Sequence, residues 1–152
     1  MAKQLKKGRP KRDKKYVKES KPVISTDCEK IIFMFDKTDR SGNYAFDVNR
    51  ADFNHKEVLG KIVDYSSMTW GEVKRQTHDD GKSKHHFLTP DSLSKEAAER
   101  LKAKDLEEFS DYIFSFALQN KIRIIGIRNG DKFHVLWYDP GHEVCPSKKR
   151  HT

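Results

Sequence analysis

The hydrophobic positions of this chain are sparse before residue 29 and then recur in patterns that predict strands and helices. The apolar run Lys30–Asp36 combines β-branched and aromatic residues, which predicts a buried strand. Turn-forming residues over Lys37–Asn43 end this strand. The segment Tyr44–Val48 is a candidate for a second short strand.

Helical signals dominate the middle of the chain. A helix is predicted over Asp52–Tyr65, capped by its first residue, with an apolar face formed by Phe53, Leu59, Ile62 and Val63. The segment Thr69-Trp70-Gly71-Glu72 has the form of a capping box, which predicts a short helix to about Gln76. A polar, flexible stretch is expected over His78–His86, before a further helical pattern over Ser94–Lys104.

Three strand candidates follow, at Tyr112–Leu118, Lys121–Arg128 and Lys132–Asp139. The last two flank Asn129-Gly130, a strong signal for a two-residue hairpin turn. The order predicts an α+β fold with an N-terminal strand, two to three helices and a C-terminal three-stranded antiparallel meander. We expect the helices to pack on one face of this sheet.

The predicted hairpin pairs Arg128 with Asp131, and this register sorts its side chains onto two faces. One face is apolar and is expected to contact the helices: Gly126, Ile124, Ile122, Phe133, Val135 and Trp137. The other face carries four polar side chains among Ile125, Ile127 and Leu136, namely Lys121, Arg123, His134 and Tyr138.

These polar side chains suggest chemistry on phosphate groups. A histidine can act as a general acid or base at neutral pH, and Arg or Lys can hold a phosphate. His142, just beyond the Asp-Pro-Gly turn, could swing back over the sheet. We therefore predict metal-independent RNA cleavage, without a cofactor, by His134, His142, Arg123 and Tyr138, with Lys121 and Arg128 binding nucleic acid. The alternative is an ordinary solvent-facing sheet surface.

The positive charge of the protein is concentrated at its ends. Residues 1–21 hold ten Lys and Arg and two acids, which accounts for the whole net charge of +8. We expect a disordered basic tail over residues 1–22, one α+β domain over residues 23–147 and a basic end over residues 148–152. The tail residues predicted to contact nucleic acid by counterion release are Lys6, Lys7, Arg9, Lys11, Arg12, Lys14 and Lys15.

The tail segment Lys7-Gly8-Arg9-Pro10-Lys11-Arg12 resembles the core of an AT-hook, which implies binding in the minor groove of A·T-rich DNA. A generic polycation that aids association with RNA, ribosomes or DNA is the favoured interpretation. A nuclear-import signal is a third interpretation, for a eukaryotic source.

The expected compartment is the cytoplasm. No apolar run approaches the roughly 18 residues of a membrane span, and no hydrophobic stretch follows the basic N-terminus, so no membrane partner is expected. For Cys28 and Cys145, free thiols in a reducing cytosol are favoured over a disulfide between the two ends of the domain.

The C-terminal stretch from Ile124 to Val144, with Trp137-Tyr138-Asp139-Pro140-Gly141-His142 within it, is similar to a family of small uncharacterised bacterial proteins. These proteins are often found in mobile elements and end in a Trp-x-Asp-Pro-x-His pattern; the resemblance covers about residues 29–146. The order of elements, with its late histidine, more distantly resembles the RelE/ParE toxin superfamily. That resemblance implies a RelE-like arrangement, an antitoxin or other protein partner, and basic or acid–base roles for Arg123, Arg128, Tyr138 and His142.

Three functions therefore compete. The first is a toxin-like endoribonuclease acting on RNA. The second is a non-catalytic nucleic-acid-binding or accessory protein anchored by its tail, with RNA favoured over DNA as the partner. The third is a metal site in which His142 and Cys145 are joined by His85, His86 or His134; it ranks last because paired-ligand spacings are absent.

Overall fold

The computed structural model of the protein describes residues 27–146. The predicted tail 1–22, with its AT-hook-like segment, and the basic end 148–152 lie outside the described residues. So do the tail cations predicted to contact nucleic acid, Lys6, Lys7, Arg9, Lys11, Arg12, Lys14 and Lys15.

The described chain is a mixed α+β fold built on a five-stranded sheet. The strand order is β1-β5-β4-β3-β2, in which β1 runs parallel to β5 and all other neighbours are antiparallel. The strands are β1 (Ile32–Met34), β2 (His86–Phe87), β3 (Ile113–Ala117), β4 (Arg123–Asn129) and β5 (Lys132–Asp139).

The helices begin where the sequence supplies caps. They are α1 (His55–Ser66), α2 (Trp70–Lys74) and α3 (Lys95–Ala103), with 3₁₀ turns at Pro90–Ser92 and Glu107–Tyr112. The predicted capping box is confirmed, because Thr69 and Glu72 exchange hydrogen bonds at the start of α2. The helix predicted over Ser94–Lys104 is confirmed as α3, and Ser94 is its cap. The cap of α1 is Asn54 rather than Asp52, whose side chain pairs with Arg50 instead.

Two predictions for the N-terminal half are wrong. The run Lys30–Asp36 is not a buried strand, since β1 lies at the sheet edge and Ile32 and Phe35 are about half exposed. The segment Tyr44–Val48 is not a strand and makes only a single β-bridge, between Ala45 and Trp137.

The apolar face expected for α1 is also wrong in part. Leu59 and Val63 are 65% and 58% exposed, whereas Val58 and Tyr65 are buried. Phe53 is buried, but it precedes the helix. Hydrophobic periodicity in a short helix therefore did not identify the side that contacts the sheet.

The helices cover both faces of the sheet, not one. The first core lies between one face and α1 and α2, and it contains Tyr65, Trp70, Phe114, Phe116, Phe133 and Tyr138. The second core lies between the other face and α3, and it contains Ala97, Leu101, Ile113, Ile125, Ile127 and Trp137. Strands β3, β4 and β5 are therefore buried on both sides, so they lack the alternation of polar and apolar residues that a half-exposed sheet shows.

The hairpin register differs from the prediction in two ways. Asn129 pairs with Lys132, so Gly130 and Asp131 form the turn. The residues of β4 from Arg128 to Gly126 therefore pair two positions further along β5 than predicted, and their side chains stay on the predicted faces of the sheet. A β-bulge between Ile125 and Gly126 then exchanges the faces of Trp137 and Tyr138. A Cβ on Gly126 would overlap the carbonyl oxygen of His134, so glycine is required for this close approach.

Within residues 27–146 no helix is long and apolar enough to cross a membrane. Cys28 and Cys145 are both free, so a disulfide between the ends of the domain is not formed.

Candidate functional site

The structure does not bring the four predicted catalytic side chains together. Tyr138 is fully buried in the first core, and its hydroxyl donates to the carbonyl oxygen of Asp52 at 2.8 Å and accepts from the amide of Asn54 at 3.0 Å. Burial raises the pKa of this phenol. The prediction that Tyr138 shares the polar face is therefore wrong, because the β-bulge turns it to the other side of the sheet.

His134 shares a sheet face with Arg123 but lies far from it. His134 pairs with Ile127, four residues along β4 from Arg123, which is about 13 Å at strand spacing. It is only 7% exposed, and its Nδ1 lies 2.7 Å from the carboxylate of Asp36. Burial alone would raise the pKa of Asp36, but the hydrogen bond to His134 and smaller contributions such as the charge of Lys37 together lower it.

The two other predicted nucleic-acid ligands of the domain are also separate. Arg128 is 1% exposed, and its Nη2 donates to the carboxylate of Asp27 at 3.0 Å. Its guanidinium lies 4.1 Å from the ring centre of Trp70. Arg128 thus stabilises the fold and is not a surface cation. Lys121 is exposed at the turn between β3 and β4, outside the cleft that holds Arg123.

Arg123 and His142 do meet, in a cleft of about 460 Å³. Four further basic or imidazole side chains from one loop line the same cleft. The set, called here the cationic cleft, is His78, Lys82, Lys84, His86, Arg123 and His142.

The fold builds this cleft where the second core ends. Ile125 and Leu88 belong both to that core and to the cleft lining. Strand pairing aligns His86 on β2 with Ser115 on β3, and Ser115 with Ile125 on β4, so these side chains share one face. Helix α3, together with residues such as Tyr44 and Val144, packs over the rest of this face in the second core and leaves the corner at Arg123 uncovered.

Arg123 is held by its own turn. Its Nη1 donates to the carbonyl oxygens of Asn120 and Ile122, each at 2.9 Å. Burial lowers the pKa of Arg123, while the negative charge of Asp139 opposes that effect, and the guanidinium remains a cation at any physiological pH. Among residues 27–146 no acceptor pairs with its Nε or Nη2, which leaves these donors for an anion.

Asp139 positions His142. The buried carboxylate of Asp139 accepts hydrogen bonds from the amides of Glu143 and Val144, each at 2.9 Å. The chain between them passes through His142 with φ of +60°, a left-handed conformation that costs a non-glycine residue energy. The Asp139 carboxylate therefore holds the turn that presents His142 to the cleft.

The neighbouring histidine, His85, has the opposite environment. Its Nδ1 accepts from the amide of Ala117 at 3.0 Å, so the proton resides on Nε2, which lies 2.7 Å from the side-chain oxygen of Gln76. Burial lowers the pKa of His85 to about 3, with a smaller contribution from nearby cations such as Lys84. His85 is therefore a neutral core residue, whereas His86, one position along the chain, is exposed to the cleft.

The charge and composition of the cleft favour a phosphate ligand. Asp139 is the one carboxylate among the described lining residues, and both its oxygens are occupied by backbone amides. None of the described lining residues is Phe, Tyr or Trp, so the cleft offers cations and imidazoles but no stacking surface for a base.

The metal hypothesis finds no support in the geometry. His85 is turned into the first core and His134 is bonded to Asp36, so neither approaches His142 and Cys145. Within the part of the chain that the structure describes, no three His, Cys, Asp or Glu side chains are grouped so as to hold a metal ion.

The loop from His78 to His86 is the part of the site that sequence reasoning missed. The sequence predicts a polar, flexible stretch there and suggests His85 and His86 only as metal ligands, yet this loop supplies four of the six side chains of the cationic cleft. A signal was present, since five of its nine residues are His or Lys. The pairing of His86–Phe87 with β3 is what brings the loop to the sheet.

Comparisons with family models, with curated proteins and with solved structures found no match to this chain.

Proposed function

We propose that this is a nucleic-acid-associated protein whose domain holds the phosphate groups of RNA in the cationic cleft. The observation that supports the proposal is the convergence of Arg123, with unused Nε and Nη2 donors, and His142 with the loop cations Lys82 and Lys84. Arginine forks and lysine ammonium groups are the common protein ligands of phosphate. RNA is favoured over DNA, and the basic tail is the proposed second, sequence-independent anchor.

The RelE-like arrangement, the family, the protein partner and the location expected from the sequence are proposals as well. The consecutive antiparallel pairing of β3, β4 and β5 is compatible with a three-stranded meander in a RelE-like arrangement. Membership of the mobile-element family, an antitoxin or other protein partner, and a cytoplasmic location stay predictions. The alternative function is a non-catalytic nucleic-acid-binding or accessory protein that is anchored by its basic tail.

The proposal is tested by binding of a fluorescent 12-nucleotide single-stranded RNA to the full chain at several salt concentrations. The double variant Arg123→Gln, Lys84→Gln should bind more weakly, and its salt slope should fall by about 0.7 for each phosphate that the cleft no longer neutralises. Arg123→Lys, which keeps the charge, should retain most of the slope. Arg40→Gln with Lys56→Gln, which removes two exposed cations outside the cleft, is the matched control.

The tail is examined separately in the full chain. Replacing its seven predicted contact residues by Gln should reduce the salt slope further. An unchanged affinity and slope in the cleft double variant, together with loss of binding in the tail variant, would assign all binding to the tail and refute the cleft proposal.

A further inference from the structure

Building on the proposed phosphate site, we infer that the cationic cleft cleaves single-stranded RNA without a metal ion, with His86 and His142 as its two proton-transfer groups. The endoribonuclease activity expected from the sequence rested on His134, Tyr138, Arg123 and His142. The structure removes the first two from the site and brings His86 into it.

The two histidines enter the cleft from its two sides. His86 lies on β2, and His142 follows the end of β5, with β3 and β4 between these strands. Three inter-strand spacings, about 14 Å, separate β2 from β5. Both histidines line the cleft of about 460 Å³ together with Arg123 and Ser115, and this volume can hold one phosphodiester.

Both imidazoles are available for proton transfer. His142 makes no hydrogen bond to any described residue, and it is presented by a turn in the left-handed conformation. His86 has one long contact, from Nδ1 to the carbonyl oxygen of Phe87 at 3.4 Å. An imidazole whose nitrogens are not committed to the fold can serve as a general acid or base. Strained backbone at a side chain without a structural partner is a feature of functional sites.

Arg123 supplies the charge that the reaction needs. As the 2′-oxygen attacks, negative charge grows on the non-bridging oxygens of phosphorus, and fixed donors stabilise it. The Nε and Nη2 groups of Arg123 are fixed by the two bonds of Nη1 to Asn120 and Ile122. Lys84, half-buried on the same cleft wall as His86, adds a second positive charge.

The reaction balances without a co-reactant. One imidazole takes the proton of the 2′-hydroxyl, the 2′-oxygen forms a bond to phosphorus, and the bond from phosphorus to the 5′-oxygen breaks. The 5′-oxygen takes a proton from the other imidazolium. The products are a 2′,3′-cyclic phosphate and a 5′-hydroxyl, and DNA, which has no 2′-hydroxyl, binds without being cut.

The substrate class follows from the lining of the cleft. No aromatic ring is present among the described lining residues to select a base by stacking, so cleavage should show little base preference. The attack needs the 2′-oxygen in line with the leaving oxygen. A single strand adopts this geometry more readily than an A-form helix, so single-stranded RNA is the substrate.

The test is incubation of the full chain with an end-labelled 12-nucleotide RNA of mixed sequence in excess EDTA. We expect fragments that end in 2′,3′-cyclic phosphate, and no cleavage of the 2′-O-methyl or DNA analogue. His86→Asn and His142→Asn should each slow cleavage by about 10²-fold or more while RNA affinity stays within about twofold. His55→Asn, an exposed histidine outside the cleft, is the control and should cleave at the original rate.

A substrate with a p-nitrophenolate leaving group at phosphorus separates the two roles, because this group departs without protonation. The variant that lacks the general acid should regain most of its rate on this substrate, and the variant that lacks the base should not. RNA that is bound through Arg123 and Lys84 but never cut would overturn the inference and leave the proposed function standing. Binding that ignores those two residues would instead refute the proposed function. Equal rates in the wild-type chain and both histidine variants would also overturn the inference.

Discussion

The two faces of the sheet differ in how completely they are covered and in the environment of their polar side chains. On the first, the aromatic side chains of Tyr65, Trp70 and Phe116 pack at ring-centre distances of 5.1–5.7 Å, and His85 is buried beside them as a neutral group. On the second, α3 covers only part of the face, and the uncovered corner holds Arg123 and His142. Polar side chains inside the first core serve the fold, whereas those at the end of the second remain free to bind a ligand.

This difference explains why the presence of histidines in the sequence was not enough to identify the site. His85 and His86 are adjacent in the sequence, and the alternation of an extended chain sends one into the first core and the other into the cleft. The role of each histidine depends on its burial and its hydrogen bonds, which the sequence does not show. The variants described below test whether the two faces are as independent as this division implies.

The largest effect is expected from Phe116→Ala in the first core. Phe116 is fully buried and contacts Tyr65, Trp70 and Phe133, so the variant should lose about 3–5 kcal/mol of unfolding free energy. Urea denaturation measures the loss, and Phe35→Ala, at a half-exposed ring, is the control with a loss below about 1 kcal/mol. RNA affinity of the folded fraction should not change; a weaker affinity would show that the two faces are coupled.

The next effect is expected at Asp39, which connects the second face to its helix. The carboxylate accepts hydrogen bonds from Arg100 on α3 at 2.8 and 2.9 Å and from the indole of Trp137 at 3.0 Å. Burial alone would raise the pKa of Asp39, but these bonds lower it. Asp39→Asn should cost about 2–3 kcal/mol of unfolding free energy, since Asp39 is only 1% exposed.

The matched control is the ion pair that the exposed Asp52 makes with Arg50. Asp52→Asn should cost only about 0–1 kcal/mol, because solvent screens that pair. Similar losses in both variants would contradict the structural role assigned to the buried carboxylate.

A pH effect of about 2 kcal/mol is expected from His85. Its pKa is lowered to about 3 by burial, whereas an unfolded histidine titrates near pH 6.5, so the unfolded state binds more protons between these values. The stabilising contribution is complete above pH 6.5 and is lost as pH falls, by about 1.4 kcal/mol per unit and about 2 kcal/mol by pH 5. The difference in unfolding free energy between the wild-type chain and His85→Gln should narrow from pH 8 to pH 5. A constant difference would mean that His85 is not buried as a neutral group.

The smallest effect on stability is expected at His142. Its φ of +60° is unfavourable for a side chain, so His142→Gly should gain up to about 1 kcal/mol, less the entropy that glycine adds to the unfolded chain. The same variant should lose RNA cleavage. Asp105→Gly, at φ of +60° just after α3 and outside the cleft lining, is the control that should gain stability and keep activity. A loss of activity in both variants would show that the loss does not depend on the imidazole of His142.

Local sequence signals correctly predicted the elements whose structure depends on residues close in the chain. The capping box at Thr69, the helix that follows Ser94 and the three C-terminal strands could be predicted because each depends on residues close in sequence. The errors arose where distant segments compete for the same side chain. The exposed Leu59 and Val63 and the edge position of β1 depend on which surfaces α1 and β5 present, and no local pattern encodes that.

Only part of the candidate site could be predicted from the sequence. Arg123 and His142 were identified from the hairpin and the Asp-Pro-Gly turn, and both line the cleft. Tyr138 was misplaced because one β-bulge at Gly126 reverses the faces of the residues beyond it. A glycine in the middle of a strand often marks a β-bulge, so Gly126 was the signal in the sequence for this change of face.

By itself, the sequence determined that the net charge of +8 lies within residues 1–21, that the remainder contains enough alternating and helical pattern for one α+β unit, and which residue types could act on phosphate. Only the tertiary structure decided which of those residues meet. It buried His85, Arg128 and Tyr138, paired His134 with Asp36, and brought His86 to the cleft of Arg123 and His142. The physical reason is that charge and propensity are properties of single residues and short segments. A site instead depends on burial and proximity, which arise when strands distant in sequence pair and a helix covers part of the sheet.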